Sequence, residues 1–115
     1  MRPDTVRGAY CEAMVVIQFL LPLRDNEGQP FARSDFERVR TELTERFGGV
    51  TAFLQSPAAG AWKEDGAHTV RDELVLYELM TDTLDRAWWK AYREDLERRF
   101  RQKALVVRAL SAEPL

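Results

Sequence analysis

The stretch that decides the fold of this 115-residue chain reads Met14-Val15-Val16-Ile17-Gln18-Phe19-Leu20-Leu21. Successive side chains of a β-strand point to opposite faces, and here both faces are apolar. One set consists of Val15, Ile17, Phe19 and Leu21, and the other of Met14, Val16 and Leu20 around the single polar residue Gln18. A strand of this kind requires cover on both faces.

Two later runs repeat this pattern. In residues 69–81 the uniformly apolar set is Val75, Tyr77 and Leu79, and the other set is Leu74, Leu76 and Met80 around Glu78. In residues 104–110 the corresponding sets are Leu105, Val107 and Ala109, and Ala104, Val106 and Leu110 around Arg108. Each run therefore predicts a strand with one fully apolar face and one face that carries a single polar side chain.

Two helices are predicted between these strands. Ser34 followed by Glu37 is typical of a capping box, and the apolar residues at helical spacing end at Gly48-Gly49. The second helix is predicted over residues 84–102, with Asp82 or Thr83 as its cap. Its apolar stripe consists of Leu84, Trp88, Tyr92, Leu96 and Phe100.

The remaining strand is predicted over residues 50–55, immediately after the first helix. Pro57 cannot donate a hydrogen bond to a neighbouring strand, so we expect an edge strand with a kink that resumes near Trp62. Residues 64–66, Glu-Asp-Gly, predict a tight turn into the next strand.

The resulting order, strand-helix-strand-strand-helix-strand, is the α+β ferredoxin-like β-α-β-β-α-β arrangement. Right-handed crossovers place the first and third strands at the centre of a four-stranded antiparallel sheet, with both helices on one face. The length predicts one domain over residues 1–115, with an N-terminal arm over residues 1–11 and a tail over residues 111–115.

The uniformly apolar sets fit beneath the helices, so the helix-free face would expose the other sets, with about ten apolar side chains. Full burial stabilises by roughly 1.5–3 kcal/mol for each large side chain. Association is opposed by about 4–15 kcal/mol. We therefore expect a homodimer in which two sheets pack face to face.

Composition excludes several partners. Lys plus Arg is 17 and Asp plus Glu is 19, a net charge of −2 that offers no general attraction for nucleic acid. The apolar run that begins at Met14 is shorter than the ~20 residues that span a bilayer, so no membrane insertion is expected. A single cysteine, Cys11, fits a cytoplasmic protein. With a single histidine as well, His68, no metal site is predicted.

Within this element order, Gly60-Ala61-Trp62 and Arg99-Phe100-Arg101-Gln102 resemble small bacterial families of the dimeric α/β-barrel superfamily. The resemblance covers about residues 12–112. It implies a homodimer, and the superfamily includes cofactor-independent monooxygenases, lactone isomerases, haem-degrading enzymes and ligand-sensing regulators. Because His68 lies beside the predicted hairpin turn and not on a helix, no haem or other cofactor is expected.

Gln18, Glu78 and Arg108 lie on three neighbouring strands and are the candidate binding or acid/base residues. If the protein is an enzyme, the resemblance implies Glu78 as the base and Arg108 as an anion anchor. Trp62 and Trp89 are candidate walls for a small, partly apolar ligand. The alternative is a non-enzymatic regulatory or interaction module, in which the three polar residues only satisfy one another at an assembly interface.

Overall fold

The computed structural model describes residues 14–55 and 73–115. Along the chain it contains strand β1, helix α1, strands β2 and β3, helix α2 and strand β4. Their bounds are β1 Met14–Pro22, α1 Arg33–Phe47, β2 Thr51–Gln55, β3 Leu74–Thr81, α2 Arg86–Arg99 and β4 Val107–Ala112. The predicted kink after β2, the turn at residues 64–66 and the N-terminal arm lie outside the described residues.

The four strands form one antiparallel sheet in the order β2-β3-β1-β4. The two strands with the doubly apolar pattern, β1 and β3, are central, as predicted. The ferredoxin-like α+β fold is therefore confirmed.

The core lies on one face of this sheet, beneath the two helices. Its sheet side consists of Ile17, Phe19, Leu21, Tyr77 and Leu79, all buried. These residues belong to the sets that the sequence predicted to face the helices. From the helices come Val39, Leu43, Trp89, Tyr92 and Leu96, with Phe100 directly after α2.

Both helices begin at other residues than the sequence suggested. The cap of α1 is Ala32, and the carboxylate of Asp35 accepts a hydrogen bond from its backbone N–H at 3.2 Å. Helix α2 is capped by Asp85, whose Oδ1 accepts from the Trp88 N–H at 3.1 Å. The predicted caps Ser34, Asp82 and Thr83 are therefore wrong, because the cap lies where the backbone enters the helix, and local sequence does not choose among several nearby residues.

The predicted stripe of α2 is confirmed at Tyr92, Leu96 and Phe100, which are buried, and is corrected at Trp88. Trp89 is buried at 6% exposure, whereas Trp88, which the stripe places in the core, is half-buried. A helix has 3.6 residues per turn, so a stripe drawn every four residues drifts around the axis. The ring of Trp89 instead stacks on Phe47 with centroids 5.3 Å apart.

The last strand is shifted relative to the prediction. It begins at Val107 and not at residue 104, and it includes Ser111 and Ala112, which were predicted to lie in the tail. The N–H of Leu105 is held by the Glu97 carboxylate at 2.9 Å, so the chain just before β4 is tied to α2. The alternation is unaffected, because Ala109 pairs with Ile17 and Leu110 with Val16.

A polar cluster joins the two helices at the edge of the core. The Oε1 atom of Glu42 on α1 accepts hydrogen bonds from the Tyr92 hydroxyl at 2.8 Å and from Arg99 Nη1 at 2.9 Å. Burial would raise the pKa of Glu42, but the bonds donated by Arg99 and Tyr92 outweigh it and lower that pKa below its usual range. The carboxylate therefore stays charged and links α1 to α2.

Candidate functional site

The helix-free face of the sheet, the open face, carries one row of polar residues at the same height on every strand. Thr51 on β2 pairs with Glu78 on β3, Glu78 pairs with Gln18 on β1, and Gln18 pairs with Arg108 on β4. The sequence predicted that the last three lie on neighbouring strands, which is confirmed. Their equal height depends on strand register, which the sequence did not reveal.

Gln18 connects the two charged residues of this row. Its Nε2 donates to Glu78 Oε1 at 2.8 Å, and its Oε1 accepts from Arg108 Nε at 3.1 Å. This amide orientation is the one that satisfies both neighbours, because a carboxylate only accepts and a guanidinium only donates. Glu78 and Arg108 are therefore coupled through an amide and form no direct salt bridge.

Apolar side chains border the polar row on both sides. Exposed on this face are Leu20, Phe53, Met80, Val106 and Leu110. These are five of the seven exposed large hydrophobic residues among those the structure describes. Several exposed apolar side chains on one face are typical of an interaction surface.

A cleft of about 270 Å³ lies at the Gln18–Arg108 end of the row, bordered by Gln18, Leu20, Leu76, Val106 and Arg108, and Glu78 is not among its bordering residues. The second oxygen of Glu78 and the terminal nitrogens of Arg108 have no hydrogen-bond partner within the described residues. Glu78 can thus offer a hydrogen-bond acceptor and Arg108 a donor to a bound molecule. The two residues lie two strands apart, and the side chains around them are apolar. Such an arrangement suits a small molecule that is partly polar and partly apolar.

Of the two tryptophans predicted as ligand walls, Trp89 does not join this row. Trp89 lies on the opposite side of the sheet, under the helices, where its ring also contacts Phe19 with centroids 6.2 Å apart. Trp62 lies outside the described residues. Their roles as ligand-binding residues stay predictions.

A second cleft, which sequence reasoning missed, lies between α2 and β4. It has a volume of about 220 Å³, and its border includes Trp89, Arg86, Lys90 and Arg93. The available signal was the spacing of the three basic residues, which recur at i, i+4 and i+7 and so share one helix face.

The described residues hold neither a cluster of metal ligands nor a helix that could span a membrane. Within residues 14–55 and 73–115 no group of three or more His, Cys, Asp or Glu side chains is placed to hold a metal ion. In the same part of the chain, neither helix has the length and apolar character that crossing a membrane requires.

Comparison with known proteins identifies a fold and no family. No protein-family model and no curated protein matches the chain. Among solved structures, a phage SAM lyase in complex with S-methyl-5'-thioadenosine is similar, with a TM-score of 0.51 and 12% sequence identity. The likeness covers 88% of this chain and 90% of that one. At this identity the chain shares with the phage SAM lyase the fold alone.

Proposed function

We propose that the protein is a cytoplasmic homodimer of the dimeric α/β-barrel type, which binds a small, partly apolar molecule over the Glu78–Gln18–Arg108 row. The observation that carries the proposal is the row itself, one hydrogen-bonded polar line across an otherwise apolar and exposed sheet face. Apolar surface drives association, and the polar line gives a bound molecule its orientation.

The exposed apolar residues support the dimer. Met80 is 58% exposed and Leu110 is 42% exposed, and both lie on the open face on either side of Val16. Packing a second copy against this face removes these side chains from water. The same packing encloses the cleft above Gln18, which turns a shallow depression into a closed ligand site.

The structural neighbour supports a ligand of this class. The phage SAM lyase was solved with S-methyl-5'-thioadenosine, a molecule with an apolar thioether and a polar nucleoside. A ferredoxin-like chain of similar extent therefore accommodates a small molecule of mixed polarity. In our proposal Glu78 acts as acceptor or base toward such a ligand and Arg108 as its anion anchor.

A Glu78→Gln substitution tests the site. Glutamine keeps an acceptor for Gln18 Nε2, so the row stays intact while the negative charge is lost. We expect an unchanged thermal midpoint and at least about tenfold weaker binding of the ligand. Binding is measured with the small molecule recovered from protein purified from its host and identified by native mass spectrometry.

Glu45→Gln is the matched control, since Glu45 is exposed on α1. It should change neither binding nor stability. Equal binding by the Glu78→Gln variant and the parent would contradict the proposed role of the row.

One observation favours a second function, an assembly module without a ligand. Gln18 bonds to Glu78 and Arg108 at the same time, as expected of polar groups that pair with one another inside an interface. In that case native mass spectrometry gives a dimer with no additional mass, and Glu78→Gln changes only the association constant.

A further inference from the structure

We infer that the cleft between α2 and β4 is a binding site for a small aromatic carboxylate, separate from the site on the open face. The two sites lie on opposite faces of the sheet, because Ala109 in this cleft pairs with Ile17 while Arg108 on the open face pairs with Gln18. The inference therefore does not depend on the proposed dimer or on its ligand.

The floor and wall of the cleft are apolar. Ile17, buried at 1% exposure, and the small side chains of Val107 and Ala109 form the floor. The indole of Trp89 and the side chain of Leu84 stand beside it. Small residues on β4 leave room beneath α2, and the part of Trp89 that reaches the surface, 6% of the residue, adds an aromatic contact for a guest that carries a ring.

The rim of the cleft is basic. Arg86, Lys90 and Arg93 border it from α2, and among the described residues around the cleft none is acidic. Arg93 Nη1 is bound to Glu97 at 3.0 Å. Within the described residues, Arg86 and Lys90 form no salt bridge. Arg108 also borders the cleft, but its Nε donates to Gln18 on the other face, so it is not counted as a ligand contact.

The size of the cleft limits the guest. About 220 Å³ is smaller than the roughly 300–1,000 Å³ typical of pockets for drug-sized ligands. One or two fused rings fit this volume. A carboxylate is the matching anion, because its two oxygens pair with the fork of an arginine and with a neighbouring ammonium group.

The test uses 2-naphthoate and, as a neutral probe with the same rings, 2-naphthylmethanol. We expect naphthoate to bind at least about tenfold more tightly, and its affinity to fall as sodium chloride rises, because exposed charges are screened. In heteronuclear NMR spectra the largest shifts should fall on Val107 and Ala109. The double variant Arg86→Gln/Lys90→Gln should lose at least about tenfold in naphthoate affinity.

Arg33→Gln, a charge removal on the other helix, is the control and should bind naphthoate like the parent. Circular dichroism confirms that each variant is folded. Equal affinity for the two probes, or full affinity in the double variant, would overturn the inference. Shifts centred on Leu20, Leu76 and Met80 would also overturn it, and would place naphthoate on the open face instead.

Discussion

The two faces of the sheet have almost the same composition and different environments. Leu21 on the helix-covered face is fully buried, whereas its neighbour Leu20 on the open face is 38% exposed. The difference arises only because both helices pack on one side. The alternating apolar pattern therefore shows that each face of the sheet must be covered. It does not show whether helices, a second chain or a ligand cover it.

The two faces also differ in how they treat polar groups. On the covered face the Tyr77 hydroxyl donates to the Phe36 carbonyl oxygen at 3.3 Å, and burial raises the pKa of Tyr77 to about 12. On the open face the side chains of Glu78, Gln18 and Arg108 are hydrogen-bonded to one another across three neighbouring strands. The covered face thus fixes tertiary structure, and the open face keeps polar groups accessible.

The largest expected difference between the two faces is the loss of stability when the adjacent residues Leu21 and Leu20 are separately truncated to alanine. Leu21→Ala leaves a cavity in the core and should lower the free energy of unfolding by about 2–5 kcal/mol. Leu20→Ala should cost less than about 1 kcal/mol in dilute protein, because its side chain is partly in water. Urea unfolding followed by circular dichroism measures both. An equal loss of unfolding free energy in both variants at low protein concentration would show that the two faces are equally packed within one chain.

A charged substitution on the open face should weaken dimer association without lowering the stability of the folded chain. Leu110→Glu would bury an unpaired carboxylate between two sheets, so we expect the dimer to dissociate at least about tenfold more readily. Sedimentation velocity over a concentration series measures this. Leu54→Glu is the matched control, since Leu54 is 65% exposed and pairs with Val75 on the other face. A monomeric parent protein at micromolar concentration would contradict the proposed dimer directly.

The smallest effect is expected from Glu42, whose cluster lies on the helix-covered side. Because its pKa is lowered in the folded chain, its stabilisation is present above the ordinary value of 4.5 and is lost as pH falls through the folded value. Glu42→Gln should therefore cost no more than about 1 kcal/mol at pH 7 and flatten the acid limb of the stability profile. Thermal midpoints from pH 7 to pH 3 measure this. Glu45→Gln, on the same helix, should leave the acid limb unchanged.

The residues of the two candidate sites show which of their features the sequence predicts and which it does not. Gln18, Glu78 and Arg108 are each the single polar residue in an apolar set, so alternation alone places them on one face. The spacing of Arg86, Lys90 and Arg93 is visible in the sequence, but the cleft beneath them is not, because it depends on how α2 sits over the small side chains of β4. Trp89, predicted as a ligand wall, lies in the core, since helix rotation is set by packing.

The sequence by itself determined the element order, the central position of the doubly apolar strands and the division of their side chains between two faces. These follow from period-two alternation and from the handedness of crossovers, which are local properties of the chain. Only the tertiary structure decided the register that brings Glu78, Gln18 and Arg108 to one height and the rotation of α2 that opens the second cleft. Both depend on contacts between residues distant in sequence, where one residue of shift moves a side chain to the opposite face.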